Sequence, residues 1–387
     1  MSGMSRALRW VSLALAAAAA LPLPLGIFAG FHLWLSPSLF LQGLFSRGHL
    51  VPFSALGSAA LLLVLWRERG FCRHVCPMGA LCDAVSACGR KGRSWEGFPG
   101  INRIAAILAL AAALAGAPVL AFADPMAIFY GGWSFLHAGM SAAAGAGFLL
   151  FAAVLALNLP FPRLWCARLC PLGGLQLLAW DLRRLFRRAP PAPDVGPAFP
   201  RRTLLAAASG AGLGLLARGA AGASAPEEIR PPGALPEARF KTTCCRCGNC
   251  ARACPTRIIR SSLDARDPLG LLAPRLDFSR ACCLRPCDAC GKVCPTGAIA
   301  PFNAGEKDRI FLGTAVIRLE DCLVVKGKEC DRCVASCPYE AIRIAGGAFE
   351  AAPEVIPQRC VGCGACVAVC PPAVVSVRPL RAAEVPR

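Results

Sequence analysis

Four cysteine runs occupy the last 144 residues of this chain, and each of them ends in Cys-Pro. The first and fourth runs have the spacing C-x2-C-x2-C-x3-C-P, and the second and third share its C-x2-C-x3-C-P end. The sixteen cysteines are Cys244, Cys247, Cys250 and Cys254; Cys283, Cys287, Cys290 and Cys294; Cys322, Cys330, Cys333 and Cys337; and Cys360, Cys363, Cys366 and Cys370. In bacterial iron–sulfur proteins with this spacing, three thiolates bind one cluster and the fourth binds the neighbouring cluster. The spacing therefore predicts four [4Fe–4S] clusters with these cysteines as ligands.

Zinc and disulfide bonds are the alternative uses of so many cysteines, and neither fits the pattern. A zinc site usually joins one C-x2-4-C pair to a distant second pair, often with histidine. No histidine follows His137 in this chain. A disulfide framework is typical of short secreted scaffolds rather than of one spacing repeated four times.

The overall composition and charge narrow the class of protein. Hydrophobic residues make up 56% of the chain and charged residues only 17%, which is too apolar for a single soluble domain. The formal net charge of +19 raises the question of a nucleic-acid partner. However, each oxidised cluster with four thiolates carries about two negative charges, and the basic residues of the second half alternate with cysteines instead of forming a stripe. We therefore expect no nucleic-acid partner.

Four apolar stretches of the first half approach the roughly 20 residues that cross a bilayer as a helix. They are Val11–Gly30, Leu50–Trp66, Ile101–Ala123 and Ser141–Leu159. Basic residues gather at the N-terminus and after the second and fourth stretches, and the positive-inside rule places these segments in the cytoplasm. For residues 1–200 the pattern predicts an α-helical membrane domain with four transmembrane helices, a multi-pass protein of the bacterial inner (plasma) membrane.

A fifth apolar segment, residues 201–225, begins at the twin arginines Arg201 and Arg202. Twin arginines before a mildly hydrophobic run resemble an export signal for proteins that fold before transport. Such a route would keep cluster-binding cysteines from forming disulfides in an oxidising compartment. The motif predicts an export or anchor helix, with the polyferredoxin domain, residues 226–387, in the periplasm. A cytoplasmic Ala/Gly linker is the alternative, and residues 223–225 resemble a signal-peptidase site.

Each basic loop of the first half begins with a C-x3-C-P motif, so the two loops form an internal repeat. The four cysteines are Cys72, Cys76, Cys166 and Cys170. Together they supply enough thiolates for one shared cluster, which would be the fifth. A redox dithiol or a docking element is the alternative. Cys82 and Cys88 are interpreted as ordinary buried or loop cysteines.

Quinol oxidation requires a proton acceptor beside an apolar slot. The loops predicted on the outer side carry His32, His49, Asp124, Tyr130 and His137 among aromatic residues. An interfacial aromatic belt with ordinary hydrogen-bonding histidines is the preferred interpretation of this set.

The first half resembles the membrane ferredoxin-type protein associated with periplasmic nitrate reductase, and its methylamine-utilisation relative, in its four apolar stretches and two C-x3-C-P motifs. The second half resembles their exported polyferredoxin partner, above all where Asp321-Cys322 precedes a seven-residue gap to Cys330. The chain as a whole resembles a fusion of the two. The resemblance implies an electron-transfer component of a quinol dehydrogenase rather than a stand-alone enzyme. It would pass electrons from the quinol pool to a periplasmic molybdenum reductase or an intermediary cytochrome.

Two other functions remain open at this point. One is an assembly or maturation factor for a periplasmic redox enzyme, and the other is a redox-responsive membrane regulator. The residues alone do not separate either from the electron relay.

The second run departs from the polyferredoxin family, whose usual pattern there is C-x2-C-x4-C-x3-C-P. Cys282 occupies the first family position but Arg285 occupies the second, so Cys287 is taken as the replacement ligand. Cys283 is preferred to its neighbour as the remaining ligand. Cys245 is likewise an extra cysteine at the start of the first run.

The resemblance also implies that the second half folds as paired α+β ferredoxin-like modules. The runs can pair sequentially, first with second and third with fourth, or they can nest, first with fourth and second with third. The likeness to molybdoenzyme iron–sulfur subunits favours the nested pairing.

Overall fold

The computed structural model describes residues 3–21, 30–47, 55–66, 68–89, 100–134, 136, 142–186, 201–222, 228–347 and 350–380. Within these ranges the residues before 223 are almost entirely helical, whereas those from 228 onward combine short helices with short strands. His49, His137 and the predicted cleavage motif at residues 223–225 lie outside the described residues.

The described part of the first half is built from α-helices joined by short turns. They are α1 (Gly3–Ala20), α2 (Phe31–Trp34), α3 (Pro37–Arg47), α4 (Ala55–Trp66), α5 (Gly70–His74), α6 (Pro77–Cys88), α7 (Asn102–Leu114), α8 (Pro125–Gly132), α9 (Ala142–Leu157), α10 (Pro171–Phe186) and α11 (Arg201–Gly222). A 3-10 turn at Val119–Ala123 precedes α8, and a π-helical turn at Trp165–Leu169 precedes α10. Alanine and leucine dominate these segments and favour helix because they lose little side-chain freedom in it.

Helix α7 shows why the apolar stretch Ile101–Ala123 does not form one long helix. Gly116 has φ +82°, a left-handed conformation that glycine adopts without a Cβ clash. The amides of Gly116 and Ala117 donate to carbonyls three and five residues back, as in a Schellman motif. The helix therefore ends after 13 residues, a length of about 20 Å.

The prediction of four transmembrane helices is wrong. Among the described residues one helix is long and apolar enough to cross a membrane, and it lies at Arg201–Ala221, outside the four predicted stretches. Shorter apolar helices overlap three of those stretches, at Ala7–Ala20, Asn102–Leu114 and Gly145–Leu157. A bilayer core of about 30 Å needs roughly 20 helical residues, so hydropathy overestimated the lengths of the helices in these segments.

The predicted placement of the loops on opposite sides of a bilayer also fails. Ser12 of α1 donates a hydrogen bond to the carbonyl oxygen of Val75 (2.6 Å), which lies in a predicted cytoplasmic loop. The same hydroxyl lies 3.3 Å from Nε2 of His32, which lies in a predicted outer loop. One hydroxyl cannot contact both faces of a layer about 30 Å thick. The two sets of loops therefore meet within a single helical unit.

Helix α11 packs along α7 through small residues. A Cβ added at Gly210 would lie 2.6 Å from the Leu108 carbonyl oxygen, and one at Gly214 would lie 2.8 Å from the Ala112 carbonyl oxygen. This small-xxx-small spacing allows two helix backbones to approach closely. At the end of the contact, Arg218 Nη1 donates to the carbonyl oxygen of Ala115 (3.1 Å).

The second half combines short helices with two-stranded antiparallel sheets. The helices are α12 (Glu237–Thr243), α13 (Asn249–Ala253), α14 (Ala289–Lys292), α15 (Arg332–Ala335) and α16 (Ala365–Val369). The strands are β1 (Ile259–Ser261), β2 (Pro274–Leu276), β3 (Gly313–Ile317), β4 (Ile342–Ala345), β5 (Ala352–Val355) and β6 (Val375–Pro379). β1 pairs with β2, β3 with β6 and β4 with β5, with Arg260 opposite Arg275, Ala315 opposite Val377 and Arg343 opposite Glu354.

Two hydrophobic cores divide the second half into modules. One core is built around Phe240 and Phe278 and includes cysteines of the first two runs. The other is built around Ile342 and Val375 and includes cysteines of the last two runs. The second half is therefore organised as two consecutive modules, each containing two cysteine runs.

Candidate iron–sulfur sites

The first and fourth runs bend the backbone in the same way. Arg246 (φ +58°) and Gly248 (φ +70°) of the first run have left-handed conformations. Gly362 (φ +74°) and Gly364 (φ +79°) hold the same two places in the fourth run. In both runs these residues flank the second cysteine, so the C-x2-C segment curls tightly around it.

A short helix follows each curl and stops at the last cysteine of the run. α13 is followed by Cys254 and α16 by Cys370, whose ψ angles of 113° and 111° are extended. Each of these cysteines precedes a proline, which disfavours the helical conformation in the residue before it. The last cysteine of each run therefore lies apart from the loop that carries the first three.

Two cavities in the first module each combine cysteines from both of its runs. The first is lined by Cys244, Cys245, Cys247, Cys250 and Cys294. The second is lined by Cys254, Cys283, Cys287 and Cys290. Three cysteines of one run therefore meet the last cysteine of the other, which is the ligand exchange of two-cluster ferredoxins.

The second module repeats this exchange. One cavity of this module is lined by Cys322, Cys330, Cys333 and Cys370. In the last set burial raises the pKa of Cys366 to about 12, and the nearby Cys363, Cys360 and Cys337 raise it further. The runs therefore pair sequentially, and the nested pairing favoured by the resemblance is wrong.

The two modules meet at a backbone hydrogen bond between cysteines. The amide of Cys283 donates to the carbonyl oxygen of Cys363 (2.9 Å). Burial raises the pKa of Cys363 to about 11, and Cys282 is among the thiols that add to the rise. Cys282 thus lies near the fourth run, while Cys283 lines the second cavity. The four sets therefore follow one another in space in the order first, second, fourth, third.

The structure also brings together the cysteines of the two C-x3-C-P motifs. Cys76 and Cys170 directly precede α6 and α10, which both begin with proline, and both thiols are buried. Burial raises the pKa of Cys76 and Cys170 well above its usual range, and Cys72 and Cys166 raise it further. All four sulfurs therefore lie within electrostatic reach of one another.

Hydrogen-bond donors are directed at two of these sulfurs. Gln176 Nε2 donates to Sγ of Cys72 (2.8 Å), and the Gly79 amide donates to Sγ of Cys76 (3.3 Å). Donors of this kind favour the thiolate over the thiol. Four neighbouring sulfurs, two of which accept hydrogen bonds from these donors, fit the ligand set of an iron–sulfur cluster.

Cys82 is buried, which agrees with its interpretation from the sequence, but its contact with Cys166 was not foreseen. Its thiol is fully buried in α6 and forms a hydrogen bond with Cys166, which lowers the pKa of Cys166. Asn158 Nδ2 lies 3.6 Å from the sulfur of Cys82. The sequence placed Cys82 on the helix that follows Cys76. Helical spacing alone did not show that Cys82 contacts Cys166 of the second loop.

The described members of the predicted outer-loop set, His32, Asp124 and Tyr130, are buried rather than arranged as an interfacial belt. The Tyr130 hydroxyl lies 3.2 Å from Nδ1 of His32, and burial lowers the pKa of His32 to about 4, so its ring is neutral. Asp124 caps α8 and accepts hydrogen bonds from Ser36 Oγ (2.8 Å) and the Met126 amide (2.9 Å). These groups form structural hydrogen bonds inside the first half.

Arg252 of the first run links Tyr130 to the first cysteine set. Its guanidinium carbon lies 4.8 Å from the centroid of the Tyr130 ring, and Nη1 donates to the Tyr130 carbonyl oxygen (2.9 Å). Nη2 of the same side chain donates to the carbonyl oxygen of Cys247 (3.0 Å). The helical half therefore contacts the first cluster motif directly.

Grouping in fours is the common feature of the cysteine sets, which surround cavities or line a shared interior. These sets and the two-module fold define an iron–sulfur protein of the ferredoxin type.

Comparison with known proteins reaches the same class. Residues 326–374 match the family model of a 4Fe-4S dicluster domain, and residues 48–96 and 143–190 match that of a 4Fe-4S binding domain. The dicluster match covers the third and fourth runs from Cys330 onward. No solved structure matches the chain.

Several curated relatives cover part of the chain. The methylamine utilization ferredoxin-type protein MauM of Methylophilus methylotrophus is 39% identical over 158 residues, which are 38% of this chain and 68% of MauM. The ferredoxin-type protein NapG of Escherichia coli K12 is 35% identical over 177 residues, 42% of this chain and 74% of NapG. NapF of the same organism is 32% identical over 158 residues, 40% of this chain and 87% of NapF.

The chain belongs to the family of ferredoxin-type 4Fe-4S proteins that includes MauM, NapG and NapF. An iron–sulfur electron-transfer role accompanies this membership. Each match spans about two fifths of the chain, so the relatives do not establish the fusion with a membrane partner.

Proposed function

We propose that this chain is a membrane-anchored relay that passes electrons from the quinol pool to a periplasmic reductase or an intermediary cytochrome. The observation that carries the proposal is the row of four cysteine sets, in which the Cys283–Cys363 hydrogen bond joins the two modules. When bound, a [4Fe–4S] cluster takes up and releases one electron at a potential set by nearby charges and hydrogen bonds. A row of such sites suits transfer along the chain rather than chemistry on a substrate.

The proposal assigns one [4Fe–4S] cluster to each of the four sets. Burial of the thiols and the exchange of the last cysteine between runs support this assignment. It also assigns a fifth cluster to Cys72, Cys76, Cys166 and Cys170, because these sulfurs share one buried region. The family match over both loops supports the fifth site as well.

A continuous set of contacts supports the helical half as the side that receives electrons. Ser12 connects the backbone of the C-x3-C-P loop to His32, and His32 lies beside the Tyr130 hydroxyl. Arg252 then connects Tyr130 to the backbone of Cys247. These contacts link the C-x3-C-P loop of the proposed fifth site to the first set.

Helix α11 is the proposed membrane anchor. Its 22 residues span about 33 Å, and Leu204, Leu205 and Leu216 on its surface are 62%, 67% and 74% exposed. Arg201 and Arg202 at its start are exposed, which leaves the twin-arginine motif accessible to an export pathway. Because α11 packs along α7, we infer that it is retained. The proposed division is a helical domain at residues 1–200, an anchor segment at 201–225 and a polyferredoxin domain at 226–387. The polyferredoxin domain is proposed to lie in the periplasm of a bacterium.

Iron analysis tests the cluster assignment. Anaerobically purified protein should contain about sixteen iron and sixteen sulfide for four clusters, or about twenty of each if the C-x3-C-P cysteines hold a fifth. Changing those four cysteines to serine should then remove about four iron, whereas Cys88→Ser, at an exposed cysteine, should remove none. A content near eight iron, or stoichiometric zinc, would contradict the assignment.

Electron transfer is tested in membrane vesicles that contain the full chain and its acceptor and are supplied with reduced quinone. The relay predicts that an acceptor made without this chain is active with artificial donors but receives no electrons from quinol. An acceptor that is inactive even with artificial donors would instead identify an assembly or maturation factor. The Cys88→Ser variant is the control for loss of clusters during purification, because it should transfer electrons like the unmodified chain.

A further inference from the structure

Lys307 is a buried lysine beside the second cysteine set. It lies in a 3-10 turn at Ala304–Arg309 whose start is fixed by a capping box between Asn303 and Glu306. The residue is only 4% exposed, and it lines the cavity formed with Cys254, Cys283, Cys287 and Cys290. The capped turn thus holds the side chain against the cavity.

The ammonium group of Lys307 contacts carbonyl oxygens of the second run. Nζ donates to the carbonyl oxygen of Cys287 (2.9 Å) and to that of Leu284. None of the ion pairs found among the described residues includes Lys307, whereas the other deeply buried lysine, Lys241, lies 2.8 Å from the carboxylate of Asp267. Lys307 is therefore a buried positive charge without a carboxylate partner in the part of the chain that the structure describes.

An isolated buried ammonium is costly because it loses hydration without gaining an opposite charge. A [4Fe–4S] cluster with four thiolates carries about two negative charges when oxidised and one more when reduced. Such a group in the second cavity would supply the missing opposite charge. The same cation favours the reduced form, because the added electron increases the attraction.

We propose that Lys307 is the counter-charge of the cluster bound by Cys254, Cys283, Cys287 and Cys290, and that it raises the reduction potential of that cluster. This inference rests on the cluster assignment of the proposed function. The second set lies at the junction of the modules, so Lys307 favours the electron at the midpoint of the row. Lys307 acts through the cluster and is a positioning residue rather than a ligand.

The test is an EPR-monitored redox titration of the anaerobically purified full chain. Lys307→Gln removes the charge and keeps a hydrogen-bond donor for the same carbonyls. Lys292→Gln is the matched control, because Lys292 belongs to the same run, is half-exposed and pairs with Asp288 (2.8 Å). At the parent midpoint of the affected step, the ratio of reduced to oxidised cluster should fall at least tenfold in Lys307→Gln, which is about 59 mV for one electron.

The outcomes separate this inference from the function on which it rests. One titration step that moves to lower potential in Lys307→Gln, with the other steps and Lys292→Gln unchanged, supports the counter-charge. An iron content equal to that of the parent, with no step shifted beyond the control, overturns it and leaves the cluster assignment intact. If Lys307→Gln loses iron, selective loss of about four atoms still supports the role of the charge. Loss of about eight, with the first module collapsed, overturns it in favour of a structural role.

Discussion

Gly364 offers a sharp test of how the two modules are held together. It lies in the fourth run with φ +79°, and an added Cβ would lie 2.2 Å from Cδ1 of Phe278. Phe278 belongs to the core of the first module and is 6% exposed. Gly364→Ala therefore forces a side chain into the contact that brings the second module against the first.

Two contributions set the expected loss of stability. Placing alanine in a left-handed conformation costs about 1–2 kcal/mol. Overpacking against a buried ring adds about 1–3 kcal/mol. Gly327→Ala is the matched control, because Gly327 has φ +72° in the same module and its added Cβ would meet nothing within 4 Å. The two variants share the backbone cost, so their difference isolates the packing at Phe278.

The assay is thermal unfolding of the cluster-loaded protein under anaerobic conditions, at one scan rate for all variants. Cluster absorbance and far-ultraviolet circular dichroism are recorded together. At about 2–4 °C per kcal/mol for a domain of this size, Gly364→Ala should unfold about 2–12 °C below Gly327→Ala. Equal unfolding temperatures for the two variants would refute the argument that the close approach to Phe278 holds the modules together.

Three further predictions concern export, pH and ligand choice. Replacing Arg201 and Arg202 by lysine should protect the C-terminus from protease in spheroplasts, because the export pathway recognises the guanidinium pair. The C-terminus of the unmodified chain should be digested. Protection of the unmodified chain would contradict periplasmic placement. Burial raises the pKa of Asp124 to about 6, so the carboxyl group of Asp124 binds its proton more tightly in the folded protein than in the unfolded chain. The free energy of unfolding should therefore fall by up to about 3 kcal/mol as the pH rises from about 4 to 6. Denaturant unfolding at several pH values should show that Asp124→Asn removes this slope, and an unchanged slope would exclude Asp124 as its source. Cys245→Ala should keep the iron content of the parent, whereas Cys247→Ala should lose about four iron; the reverse result in iron analysis would make Cys245 the ligand.

The four cysteine runs were the part of the site that could be recognised in the sequence, and their role as cluster ligands stays a prediction. The spacing places the first three cysteines of a run in one short segment, and the proline after the last cysteine ends the helix before it. What the spacing could not decide was the partner of that last cysteine, since Cys294 and Cys370 carry the same local pattern. The pairing depends on which strands and cores meet, and these contacts lie far apart along the chain.

The helical half was predicted less well, for a physical reason. A hydropathy window records composition, but it does not register the left-handed turn at Gly116 or the serine at position 12 that joins two loops. Helix length and helix contacts decide whether an apolar stretch crosses a bilayer. Lys307 and the contact of Cys82 with Cys166 were missed for a related reason, because each depends on a neighbour that is distant in sequence.

Sequential pairing has a consequence for how the protein acquires its iron during synthesis. Cys244 and Cys294, the outermost cysteines of the first set, are 50 positions apart, whereas nesting the first run with the fourth would separate Cys244 from Cys370 by 126 positions. Closing the shorter segment costs less chain entropy, and domains generally fold as units in the order in which they leave the ribosome. Once the second run has emerged, the first module has all eight of its assigned cysteines, so it can be loaded while the second module is still being translated. A chain arrested between the two modules would therefore still present a complete acceptor for two clusters to the assembly machinery.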